Sequence, residues 1–358
     1  MPFKTPCVPS DCSKQLRLKA LAQDTARRFR RTSGQKGREI TALSGIILPL
    51  VGGILLAGGC GFLPGGPVAR PAVPAPVAPV AAILPTTLPV GLEGVAAAGM
   101  DGKVYLFGGL AGWNSRRTIE TFDPRTGVTG RAGSLPVPLH DAAAARVGKT
   151  IYIFGGGSSG GPEDGIYAYR AGGEALLRGH LPQPLADAAA VAHGGMIYLC
   201  GGYTGISPNR DVYRFDPATG KIAVAGRLPR GRRYAATVLS GGRIYLFGGL
   251  GTVGPRTEIF AFSLRRGVGK QVGSLPQPMQ YAAAMTKGGR IYVAGGTVGG
   301  RPVADIWLFR PGRDGKGGLI KVGNLPSPWA DGGVARSGGN WYLFGGKGPL
   351  PTAVMRLH

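Results

Sequence analysis

The stretch GGRIYLFGGLGTVGP, residues 241–255, decides the fold. Its run Ile244, Tyr245, Leu246 and Phe247 suits a strand buried on both faces, and it leads straight into the pair Gly248 and Gly249. Near-copies recur as VYLFGG (104–109), IYIFGG (151–156), IYLCGG (197–202), IYVAGG (291–296) and WYLFGG (341–346). The tyrosines Tyr105, Tyr152, Tyr198, Tyr245, Tyr292 and Tyr342 are spaced 47, 46, 47, 47 and 50 residues apart. Leu-Pro pairs beginning at Leu88, Leu135, Leu181, Leu228, Leu275 and Leu325 repeat the same series. Two motifs in one register define a six-fold repeat.

Each unit reads as four short strands. Strand a is small and apolar (DAAAARV, 141–147), strand b carries the Tyr motif, strand c is aromatic (DVYRFD, 211–216), and strand d ends at Leu-Pro (KIAVAGRLP, 221–229). A lone four-stranded sheet cannot bury both faces, so units of this length pack radially as propeller blades, with the Ala-rich strand nearest the axis. The glycine pair lets the backbone leave the sheet without a clashing Cβ.

These residues, with the turns FDPRTG (122–127) and FDPATG (215–220), resemble the Kelch family of β-propellers across residues 81–358. Where Kelch repeats place a Trp on strand d, this chain has Thr129 and Ile222. The fold expected is all-β, a six-bladed Kelch-like propeller of four-stranded blades, preceded by one N-terminal transmembrane or signal helix. The last unit stops after its strand c, TAVMRLH, whereas AAILPTTLP (81–89) has the form of a strand d with no unit of its own. Residues 81–87 are therefore expected to complete the last blade and remove an open edge.

Composition supports an added N-terminal region. The chain of 358 residues carries 65 Gly, 30 Pro and a net charge of +24; residues 1–39 form a basic leader of +7, leaving +17 for the rest. From Ile40 to Leu63 run 24 residues without a charge, about 36 Å as a helix, enough to span a bilayer. Arg27, Arg28, Arg30, Arg31, Lys36 and Arg38 precede it, which holds the leader in the cytoplasm and sets the propeller outside. An uncleaved signal anchor is the leading reading, beside a lipoprotein acylated at Cys60 and a cleaved secretory signal. Residues 64–80, a Pro/Ala tract, read as a spacer. The Gly, Ala, Arg and Pro bias fits a bacterial genome.

The chemistry visible in the sequence lies on the b–c and d–a loops, which share one end of the ring. Arg116, Arg117, Arg210, Arg230, Arg232, Arg233, Arg256 and Arg301 fall there, with Trp113, Tyr203 and Trp329 among them. A planar guanidinium grips two oxygens at once, so this set suits carboxylates, phosphates or sugars. Asp141, Asp187 and Asp331 share one position before strand a, with Glu93 one place earlier in the first unit, and are expected at the mouth of the central channel. His140, His180, His193 and His358 have no metal-ligand spacing, Cys200 reads as a core residue, and GGGSSGG (155–161) reads as a flexible loop. Neither a metal nor a cofactor is expected.

The leading functional reading is a membrane-tethered, extracytoplasmic binding module for a protein or anionic polysaccharide of the cell envelope, without nucleic acid. The alternative is a carbohydrate-active enzyme, because some secreted Kelch propellers act on sugars, including a sialic acid mutarotase. The opposite end also carries basic residues, such as Lys149, Lys221, Arg265 and Lys287, so diffuse surface charge competes with a discrete arginine pocket.

Overall fold

The computed structural model describes residues 79–312 and 317–358. The leader, the 40–63 segment, Cys60 and nearly all of the 64–80 spacer lie outside the described residues. Every element among the described residues is a strand, and no helix there is long and apolar enough to cross a membrane.

The second unit shows the plan: Ala143–Val147, Thr150–Phe154, Gly165–Tyr169 and Leu176–His180 form one antiparallel sheet in the order a, b, c, d. The fifth repeats it with Ala283–Lys287, Arg290–Ala294, Asp305–Arg310 and Gly318–Asn324. In the first, Ala96–Met100, Lys103–Phe107, Asn114–Asp123 and Val128–Leu139 gain the short strand Leu110–Ala111. The last sheet joins Gly333–Ser337, Asn340–Phe344 and Ala353–Leu357 to Ala81–Thr87 from the start of the domain.

The protein is thus an all-β propeller, but its hydrogen bonding separates four single blades and not six. The strands of the third and fourth units form one eight-stranded sheet, joined where Arg227 bridges Val268 in parallel. Close approach causes the merger: Gly226 and Gly267 meet backbone to backbone beside that bridge, where a Cβ on either would collide with a carbonyl oxygen.

Why strand b needs Tyr and Phe two residues apart is clear from the packing between sheets. Alternate residues share a face of a strand, so Tyr105 and Phe107 both meet Tyr169 of the next unit, with ring centroids 5.3 and 5.4 Å apart. Tyr152 and Phe154 meet Phe215 in the same way, at 5.2 and 5.3 Å. Tyr245 and Phe247 meet Phe309, at 5.7 and 5.2 Å. Tyr342 and Phe344 meet Phe122 of the first unit, at 5.4 and 5.5 Å. Edge-to-face pairs of this kind contribute about 0.5–1.5 kcal/mol each beyond their buried area. Cys200 and Ala294 take the place of Phe in the third and fifth units and are buried.

The glycine pair does more than release the chain from the sheet. The N–H of the second glycine, as in Gly109 and Gly249, donates to a carbonyl of the d–a loop, Leu139 and Met279 respectively, both at 2.8 Å. A Cβ on the first glycine would strike the same carbonyl, so the loop lies directly on the end of strand b. The GGGSSGG segment is not a loose loop: Gly157–Ser158 and Gly161–Pro162 pair as a two-stranded hairpin, as do the b–c segments of the fourth and fifth units.

Ala81–Thr87 runs antiparallel to Ala353–Leu357, with Ala81 opposite Leu357 and Thr87 opposite Ala353. Val80 and His358 exchange backbone hydrogen bonds at 2.9 and 3.0 Å. Thr86 also reaches the first unit, its hydroxyl donating to the Gly127 carbonyl at 2.6 Å. Deleting residues 81–89 should remove the cooperative thermal transition or lower its midpoint by more than about 10 °C; an unchanged melting curve, followed by circular dichroism, would show that this strand is dispensable.

Candidate functional site

The d–a loops converge on the axis. Six residues at one repeat position, Gly94, Asp141, Asp187, Tyr234, Tyr281 and Asp331, have φ between +52° and +61°. Each donates its backbone N–H to the carbonyl of another: Gly94 to Asp331, Asp331 to Tyr281, Tyr281 to Tyr234, Tyr234 to Asp187, Asp187 to Asp141 and Asp141 to Gly94, at 2.7–3.3 Å. The bonds close a ring. Asp tolerates this left-handed conformation, whereas for Tyr it is a costly outlier that persists only where surroundings over-determine it.

Five side chains leave this ring, because Gly94 has none. A Cβ at Gly94 would sit 2.5 Å from Asp141 Oδ1, so the missing side chain makes room for that carboxylate. Asp187 pairs with Arg233, Nε to Oδ2 at 2.6 Å, and its side chain is only 2% exposed. Lys347 serves two carboxylates, Asp331 at 2.8 Å and Glu93 at 3.5 Å. Asp141 has neither Lys nor Arg beside it; its nearest basic group is His140, with Nε2 at 3.9 Å. Burial lowers the pKa of that imidazole.

Aromatic faces fill the remaining space. The rings of Tyr234 and Tyr281 lie 4.2 Å apart by centroid. The Arg233 guanidinium stands 4.4 Å from the rings of both Tyr203 and Tyr234, and its Nη2 donates to the Tyr234 hydroxyl at 2.6 Å. Lys347 lies 4.6 Å from the Tyr281 ring. Burial, then Asp331, pushes the Tyr281 phenol up to about 12.

Four carboxylates therefore share two strong cations. Burial, reinforced by Asp187, raises the Asp141 carboxyl to about 7, and burial with Asp141 nearby does the same for Asp331. Asp187 rises to about 6, again by burial, with Arg233 opposing the shift. Such groups hold and release protons near neutrality, the range in which acid–base exchange is effective. Among the described residues no group of three or more His, Cys, Asp or Glu is placed to hold a metal ion.

Glu93, Asp141, Asp187 and Asp331 lie near one another in this cluster. Sequence reasoning missed Tyr234, Tyr281 and Lys347. The signal for the two tyrosines was present, because they follow the same 47, 46, 47, 47 and 50 spacing as the aspartates.

The loop arginines are a different matter. Arg232 is 1% exposed, too buried for a surface ligand contact; it pairs with Glu258 at 2.9 Å and lies over Phe260 at 4.8 Å. Burial lowers its pKa, and Glu258 opposes that shift. Trp329 is likewise core, at 2% exposed, where its ring lies against Gly332 and Gly346. Arg233 and Tyr203 turn toward the axis, and Arg116 pairs with Glu120 at 3.3 Å. Arg230 reaches Glu258 at 3.7 Å from an exposed position, and Arg256 is half-buried beside Gly251. Arg117, Arg210 and Arg301 are exposed and form no ion pair among the described residues, and Trp113 is 99% exposed.

Two stability predictions follow from these environments. The Asp141 carboxyl is raised in the fold from an ordinary 3.8 to about 7, so its contribution is fully present below about pH 4 and is lost as pH rises through 7. Asp141→Asn should therefore match the wild type in urea unfolding at pH 4 and exceed it by on the order of 1–2 kcal/mol at pH 8; Asp187→Asn should gain less at pH 8, because Arg233 opposes the rise of that carboxyl to about 6. Arg232→Ala should cost about 2–4 kcal/mol by emptying a buried site and leaving half-buried Glu258 without its closest partner, whereas Arg301→Ala should change stability by less than about 0.5 kcal/mol.

A KLHDC2/KLHL20/DRC7 Kelch-repeats domain model matches residues 84–249 and, in a second overlapping alignment, residues 188–355. No curated protein matches the chain. The matched stretches cover the repeats, the ring of d–a loops and every residue of the axial cluster. On the strength of that match and of the blades it spans, this chain belongs to the Kelch-repeat family.

Proposed function

We propose that this protein is a six-bladed, membrane-tethered binding module whose loop end recognises a protein partner. The six repeats of the sequence and the single parallel bridge that joins the two halves of the eight-stranded sheet support that blade count. The observation that carries the binding reading is at the b–c hairpin tips, where Trp113, Ile206 and Val253 are 99%, 91% and 78% exposed. Large apolar groups held out on ordered hairpins suit a partner that covers them. Arg117 and Arg210, each four residues after Trp113 and Ile206, are exposed and form no ion pair among the described residues, and they favour an acidic partner segment, or the carboxylates of an anionic glycan. Tethering through residues 40–63 would place the module at the cell membrane.

A second reading is favoured by one observation, the carboxyls of Asp141 and Asp331 raised to about 7 beside Lys347 and Tyr281. That set could shuttle a proton on a small sugar. The two readings separate in one experiment with the full chain. Capture of a protein from envelope extract should drop at least about tenfold in a Trp113→Ser, Ile206→Ser, Val253→Ser variant and survive in Asp331→Asn. Sugar turnover abolished by Asp331→Asn, with capture absent from the start, would favour the enzyme.

A further inference from the structure

Exposed cations stand at both ends of this domain, Arg210 and Arg301 among them at the loop end, but its ion pairs are sorted by end. Ion pairs gather at the loop end: Arg227 with Asp211, Arg232 with Glu258, Arg233 with Asp187, Lys321 with Asp305 and Lys347 with Asp331. The opposite end is built from the a–b and c–d turns, and among the described residues its only ion pair is Arg125 with Asp123, at 3.5 Å. Every unit puts an exposed cation there, as Arg125, Lys149, Lys221, Arg265, Lys287 and Arg336. Its described carboxylates are few: Asp101 is exposed in the first a–b turn, and three others are hydrogen-bonded. Asp123 and Asp216 accept the backbone N–H of Arg125 and Ala218 inside their own turns, and Glu174 accepts from Ser134.

Two further features distinguish this end. Its a–b connections are two-residue turns, as in Met100 to Lys103 and Ser240 to Arg243, whereas the loop end carries projecting hairpins. The domain also begins here. Ala81, the first residue of its first strand, pairs with Leu357 at the c–d end of the last sheet. In the sequence, the charge-free run 40–63 precedes that strand.

We propose that the turn end docks on an anionic lipid bilayer, leaving the loop end facing away from it. Cations spread over all six units match a plane of headgroups. A linear polyanion would instead call for a continuous track. Each Lys or Arg near such a surface strengthens binding about fivefold, and the attraction fades within a Debye length. The proposal extends the tethered reading but does not require a partner at the loop end.

The test uses the full chain on vesicles of phosphatidylcholine alone or with about 30% phosphatidylglycerol, and reads acetylation of individual lysines by mass spectrometry. Insertion of residues 40–63 alone cannot produce the expected pattern. Lys149, Lys221 and Lys287 should react at least about fivefold more slowly on the anionic vesicles, Lys347 at the loop end should react equally on both, and about 0.5 M salt should abolish the difference. Arg265→Glu with Arg266→Glu should lose most of the protection while keeping the wild-type melting temperature. Equal reactivity on both vesicles overturns the proposal, as does protection by heparin or duplex DNA with none by anionic vesicles. Loss of partner capture in the Trp113, Ile206 and Val253 variant would leave the lysine pattern unchanged, so the two readings fail separately.

Discussion

The constraint on which the rest depends is the closed ring of backbone hydrogen bonds through Gly94, Asp141, Asp187, Tyr234, Tyr281 and Asp331. A closed ring fixes the phase of every unit relative to the others, because no member can shift along its strand without breaking two bonds. The φ of about +55° at each member follows from the need to turn both an N–H and a C=O toward neighbours around the axis. Once the phase is set, strands a are brought close enough that only small side chains fit beside them. Farther out, the Tyr and Phe of strand b arrive opposite the aromatic of the next strand c. The axial ring and the radial aromatic contacts thus support one another.

The same ring forces polar side chains into a small space, which explains the electrostatics of the mouth. Asp is among the few residues that accept the required conformation, and three of the six positions use it. Their carboxylates repel, so Arg233 and Lys347 are drawn inward and are no longer available to the surface. Arg232 is lost to Glu258 in the same manner. Buried pairs of this kind are a weak source of net stability, and their value here lies in fixing the d–a loops in one arrangement.

Much of this was legible in the sequence, and the reason is periodicity. Tyr105 to Tyr342 and Leu88 to Leu325 share a spacing series because each unit solves the same packing problem, and the unpartnered AAILPTT segment pointed to its place beside the last strand. The blade boundaries were less legible: the bridge from Arg227 to Val268 depends on how closely Gly226 and Gly267 approach, which no single-sequence pattern encodes. The fate of the arginines was hidden for a related reason. Arg230, Arg232 and Arg233 are consecutive or nearly so, yet one is exposed, one buried and one axial, because a d–a loop changes direction at every residue. Tyr234 and Tyr281 were overlooked since aromatic residues seldom adopt positive φ, and a search confined to carboxylates passed over them.

The strand that closes the last sheet has a consequence for how the protein is made. Ala81–Thr87 leaves the ribosome first among the propeller strands, and its partner Ala353–Leu357 leaves last. At about 5–20 residues per second, the early strand waits for tens of seconds with its hydrogen-bonding edge unmatched. During that interval the axial ring cannot close either, since the bond from Gly94 to Asp331 joins the first and last units. The nascent protein therefore spends most of its synthesis as an open arc of blades with two exposed flanks, and its vulnerability to mispairing belongs to biosynthesis more than to the finished fold.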